Sequence, residues 1–139
     1  MAITASLNDC YVLEVEQSAG AIETITVSAA DVTNSFDFFD SNAGFIVKAI
    51  QFYVITAAGG SNIDVYDTTV LAANRLCAQQ ATTSTGVFQA QMAPIGALAE
   101  ANLTIDAGGS LKIDITGGAA QCKVLLYIGK PSEKTVSTT

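Results

Sequence analysis

Ser110-Leu111-Lys112-Ile113-Asp114-Ile115-Thr116 is the clearest strand signal in the chain. Apolar residues take every second position in it, and polar residues take the positions between them. This period of two is the pattern of a β-strand that buries one face and leaves the other in water. The stretch therefore predicts a strand whose Leu111, Ile113 and Ile115 face a core.

The residues just before this strand repeat its pattern. Positions 101–106 also alternate between apolar and polar, and Ala107-Gly108-Gly109 separates the two runs. A glycine turn between two alternating runs is typical of a β-hairpin. We therefore predict that the two runs pair with each other.

Short apolar runs bounded by Gly, Asn, Asp or Ser continue along the chain, at roughly the spacing of a sandwich or barrel. They predict strands over residues 11–16, 23–28, 35–39, 45–56, 62–67, 86–92 and 120–128. We predict an all-β fold, a jelly-roll or β-sandwich of about eight to ten short antiparallel strands. Helical signals amount to at most one short turn, near residues 94–101. The sandwich would be a single domain over residues 1–130, followed by a polar C-terminal tail over residues 131–139.

An internal likeness offers one hint of topology. Residues 58–65 resemble residues 107–115, and both segments begin Ala-Gly-Gly-Ser. Two hairpins with the same turn would suit the two Greek-key halves of a jelly roll. The alternative is that Gly-Gly-Ser is simply a common turn string.

The longest predicted strand, residues 45–56, is apolar on both faces. Alternation puts Phe45, Val47, Ala49, Tyr53 and Ile55 on one face and Ile46, Ile50, Phe52 and Val54 on the other. Such a strand is either central in the fold or covered by a second subunit.

The composition disfavours catalysis. The chain has no histidine, so triads of the Ser-His-Asp or Cys-His type cannot be built. Cys10, Cys77 and Cys122 are widely spaced and form no Cys-x-x-Cys pair, which disfavours a zinc site. We interpret them as small buried side chains in a reducing compartment, with one disulfide and one free thiol as the alternative. We predict no enzyme, and no catalytic, cofactor-binding or metal site.

Two clusters of acidic residues could still bind Ca²⁺ or cleave a glycan if their carboxylates faced each other across a cleft. Asp37, Asp40 and Asn42 lack the spacing and the bidentate Glu of an EF-hand loop. Asp64 and Asp67 lie on one predicted strand, where their spacing points them to opposite faces. We interpret these groups as turn caps and solvated edges.

Aromatic residues cluster before the turn at residues 41–44. We expect Phe36 and Phe38 to face the core and Phe39 to pack at a loop or interface. A sugar-binding platform normally shows an exposed Trp or a pair of Tyr, and this chain has no Trp.

Charge and hydropathy bound the possible partners. The net charge of −7, with six scattered cations, argues against nucleic acid and anionic membranes. No apolar run reaches the ~18 residues of a membrane-spanning helix, and the start lacks the basic and apolar regions of a secretory signal. We expect assembly in the cytoplasm.

Only 14% of residues are charged and 50% are hydrophobic, which predicts extra burial against copies of the chain or a larger assembly.

Three segments together resemble small β-sandwich virion proteins of tailed bacteriophages. They are Gly44-Phe45-Ile46-Val47-Lys48-Ala49-Ile50-Gln51-Phe52-Tyr53-Val54, Gly59-Gly60-Ser61-Asn62-Ile63-Asp64-Val65-Tyr66-Asp67, and Gly118-Ala119-Ala120-Gln121-Cys122-Lys123-Val124-Leu125-Leu126-Tyr127-Ile128. The shared pattern is a long apolar strand, a glycine-rich turn, then Ile-x-Val-x-Asp before a loop. The likeness covers residues 44–130 and is to jelly-roll decoration (cement) proteins in particular, which bind the outer shell as trimers and bridge capsomers.

The resemblance implies a non-enzymatic virion structural protein, a capsid decoration protein that stabilises the phage head. A tail or head–neck component, or a carbohydrate-binding jelly-roll module on the virion, is the alternative. Implied partners are other copies in a homotrimer and the major capsid protein or another virion protein, with no nucleic acid, membrane or cofactor. The implied location is the capsid surface of the virion. Candidate interface residues are Phe39, Phe45, Val47, Tyr53, Ile55, Lys130 and Pro131.

Overall fold

The computed structural model describes residues 2–6, 11–17, 23–35, 44–116 and 120–130. These residues contain ten β-strands and one short α-helix. The strands are β1 (Ala2–Ser6), β2 (Tyr11–Glu16), β3 (Glu23–Ser28), β4 (Phe45–Thr56), β5 (Asn62–Asp67), β6 (Gln80–Ala81), β7 (Gly86–Gln89), β8 (Thr104–Ile105), β9 (Ser110–Thr116) and β10 (Gln121–Gly129). Helix α1 spans Ala29–Ser35, and two 3-10 helices span Ala72–Asn74 and Glu100–Leu103. Within these residues, no helix has the length and apolar character needed to cross a membrane.

The strands pair as a ribbon folded onto itself. In antiparallel pairs, β2 joins β10, β3 joins β9, β4 joins β8, and β5 joins β6. Wrapping of the ribbon places β10 beside β4 and β9 beside β5. The first sheet has the order β1-β2-β10-β4-β7, with β8 also on β4, and the second has the order β3-β9-β5-β6. This nesting is the double Greek key of a jelly roll, so the predicted all-β class is confirmed.

The core lies between the two sheets, and β9 buries one face in it, as its alternating pattern predicts. Leu111, Ile113 and Ile115 on β9 are buried, while the polar residues between them are only half-buried. On the facing sheet, Phe52 and Leu126 are also fully buried in the same cluster. Sandwich packing of this kind removes both inner faces from water.

The predicted hairpin over residues 101–116 is wrong, because its two arms belong to different sheets. β8 pairs with β4 in the first sheet, whereas β9 pairs with β3 and β5 in the second. The Gly109 amide donates to the Asp106 carbonyl at 2.8 Å, and this turn carries the chain between sheets. Residues 57–61 cross in the same way from β4 to β5. The two Ala-Gly-Gly-Ser segments are thus sheet crossings; alternation records which face is buried, but not which strand is the neighbour.

A β-bulge in β4 corrects the expected division of its faces. Val47 lies opposite Ile128 and Ala49 lies opposite Tyr127, so Lys48 is an extra residue in the ladder. The extra residue shifts the alternation by one position. Odd-numbered residues face the core before it, and even-numbered residues face the core after it. Fully buried residues therefore fall at 45 and 47 before the bulge and at 50, 52 and 54 after it, while Ile46 between the first two is 7% exposed.

Helix α1 begins at a reciprocal cap. The Asp31 amide donates to the Ser28 hydroxyl at 3.2 Å, and the Ser28 amide donates to the Asp31 carboxylate at 2.8 Å. The strand expected over 35–39 meets this helix at Ser35, and its residues 36–39 lie outside the described residues. The helical turn expected near 94–101 lies instead at Glu100–Leu103.

Residues 86–93 close one side of the sandwich. β7 pairs with β4 in the first sheet. Four residues further on, the Ala93 amide donates to the Leu76 carbonyl at 2.8 Å, and the Leu76 amide donates to the Val65 carbonyl of β5 at 2.9 Å. The segment thus joins the two sheets, and it fixes the position of Val87 on the outer surface.

Candidate functional site

The residues expected at an interface separate into two groups. Tyr53 and Ile55 are exposed, and Lys130 is half-buried. Phe45 and Val47 are fully buried in the core, so the expectation for these two is corrected. The bulge at Lys48 turns them inward, and they offer no surface to a partner. Phe39 and Pro131 lie outside the described residues.

Tyr53, Ile55 and Val87 form an apolar patch on the outer face of the first sheet, here called the sheet patch. Their exposed fractions are 43%, 39% and 60%. Tyr53 lies directly opposite Val87 in the β4–β7 ladder, so the two side chains are cross-strand neighbours. A group of adjoining exposed apolar side chains is a candidate interaction site.

Polar pairs border the sheet patch. Lys123 lies opposite Tyr53 on β10, and its ammonium is 3.4 Å from the Glu14 carboxylate. On the next row, the Gln51 amide donates to the Gln89 side-chain oxygen at 3.2 Å. An apolar centre with a polar border is the usual anatomy of a protein–protein interface.

Val70 and Leu71 form a second exposed apolar group, here called the loop tip, with exposed fractions of 43% and 57%. The loop that carries them is held by its own hydrogen bonds. The Leu71 amide donates to the Thr69 carbonyl at 2.8 Å, and the Asn74 amide donates to the Leu71 carbonyl at 2.8 Å. The Asn74 side chain also donates to the Asp67 carbonyl at 3.2 Å. The backbone that carries these two apolar side chains is therefore held by local hydrogen bonds.

An ion pair between half-buried Arg75 and buried Asp64 anchors the segment that follows this loop. Arg75 Nε lies 3.0 Å from Asp64 Oδ1 without hydrogen-bond alignment, and the Gln79 amide donates to Asp64 Oδ2 at 2.8 Å. The Arg75 guanidinium also lies 5.7 Å from the centre of the Tyr66 ring. Burial, and then the charge of Asp64, raise the pKa of Tyr66. The Asn102 side chain donates to the Arg75 carbonyl at 2.9 Å, which fixes the same segment from outside.

Asp64 also belongs to a polar row across the outer face of the second sheet. The Thr24 hydroxyl donates to Asp114 at 2.8 Å, and Asp114 lies directly opposite Asp64. The expectation of a solvated Asp64 is wrong, because the Arg75 pair and the neighbouring segment bury it. Tyr66, the aromatic of this face, is buried as well, so its ring is not open to a sugar.

Other predicted chemical groups are placed as follows. Asp67 is half-buried and accepts a hydrogen bond from the Thr68 hydroxyl at 3.0 Å. Asp37, Asp40 and Asn42 lie outside the described residues. Across the described ranges, no cluster of three or more His, Cys, Asp or Glu side chains could hold a metal ion.

The cysteines within the described residues are buried. Cys77 and Cys122 are free thiols, and Cys10 lies outside the described part. Burial first, and then the charge of Asp64, raise the pKa of Cys77 to about 12. Burial alone raises the pKa of Cys122. Both behave as the small core side chains that were expected, because a neutral buried thiol is unreactive.

Comparisons with protein-family models, with curated proteins and with solved structures give no match to this chain. The candidate site is therefore defined by its own geometry, which consists of the sheet patch and the loop tip.

Proposed function

We propose that this chain is a non-enzymatic structural protein of a virus particle, a decoration protein that binds the outer shell of a phage head as a homotrimer and bridges capsomers. The observation that carries the proposal is the sheet patch. Its apolar side chains stay exposed on a sandwich whose core is already complete. They contribute little to folding of the single chain, so a contact with another chain accounts for them better.

A multivalent assembly fits the small size of this patch. One contact of a few apolar side chains supports only modest affinity, because association also costs translational and rotational freedom. A trimer presents the same contact several times, and linked contacts add to an avidity well above that of each one. A two-sheet jelly roll with one shared core supplies the rigid body that such bridging requires.

Phage particles produced with and without the chain test the proposal. The chain should sediment with heads, and heads lacking it should assemble but release DNA at a lower temperature. Adding back purified wild-type protein should restore the release temperature, and so should Thr24→Ser, which alters only the polar face of the second sheet. The double variant Tyr53→Ser, Val87→Ser should not restore it. Absence of the chain from every particle fraction would refute the proposal.

The same experiment distinguishes the alternatives. Particles that fail to form without the chain would indicate a tail or head–neck component instead. A carbohydrate-binding module on the virion is the second candidate, favoured by the polar row that includes Thr24 and Asp114. Retention of the chain on immobilised host-cell polysaccharide, lost in Asp114→Ala, would favour that candidate.

A further inference from the structure

We draw no further inference here: the strongest candidate, the exposed apolar loop tip formed by Val70 and Leu71 in the connection between β5 and β6, carries none because nothing in the structure shows what covers it.

Discussion

Replacing Ile113 with alanine should lower the free energy of unfolding by about 3–4 kcal/mol. Ile113 is fully buried, and it lies opposite Ile25 on β3 and Val65 on β5. Ile→Ala changes in cores cost about 2–5 kcal/mol, and the cost rises when the surroundings cannot collapse into the cavity. Pairing of β9 on both sides prevents such collapse, which places this site in the upper half of the range. With about 2.1 cal/mol/K of unfolding entropy per residue, the melting temperature should fall by about 10–14 °C.

Urea unfolding and calorimetry at fixed protein concentration measure this change. Asp114→Asn is the matched control, one residue along the same strand. It keeps an oxygen acceptor for the Thr24 hydroxyl and removes the charge opposite Asp64, so stability should stay within ~0.5 kcal/mol or rise slightly. Equal damage from both variants, or a loss below ~1 kcal/mol for Ile113→Ala, would refute the register of β9.

Three other perturbations test the anchor, a buried thiol and a turn. Arg75→Ala leaves the Asp64 carboxylate without its cation and should cost about 2 kcal/mol in urea unfolding, partly regained by adding Asp64→Asn; no regain would contradict the ion pair. Folding raises the pKa of Cys77 from 9.0 to about 12, so the unfolded chain loses this proton first and stability should fall across that interval; an equal fall in Cys77→Ala, in parallel denaturation series, would contradict this. A Cβ at Gly44 would lie 2.5 Å from a β8 carbonyl oxygen at a φ of +82°, so Gly44→Ala should lower the melting temperature far more than Gly60→Ala, whose φ is +72° in open space; similar losses would argue against the close approach.

Strand positions were predictable because a strand that buries one face has apolar residues at every second position of its sequence. β9 alternates without exception, and the bounds of β3, β4 and β5 match the runs between turn residues. Strand partners were not predictable in this way, since a pattern of period two says nothing about which strand lies alongside. The residues before β9 therefore suggested a hairpin, whereas the chain crosses to the other sheet at Gly109.

The site was predictable only where it shares a strand with the core. Tyr53 and Ile55 were expected at an interface because β4 is apolar on both faces. The bulge at Lys48 carries no sequence signal of its own, which is why Phe45 and Val47 were misplaced. The remaining members of the two surfaces were missed for other reasons. Val70 and Leu71 lie in a connection without periodicity, and Val87 belongs to a strand too short to show which face it buries.

A density map of the native particle, obtained by electron cryomicroscopy, tests the proposed capsid role. We expect jelly-roll densities on the outside of the head, grouped as trimers where capsomers meet, with the sheet patch covered by a neighbouring chain. Jelly-roll density confined to the tail or neck, or a head surface without it, would rule out the decoration role.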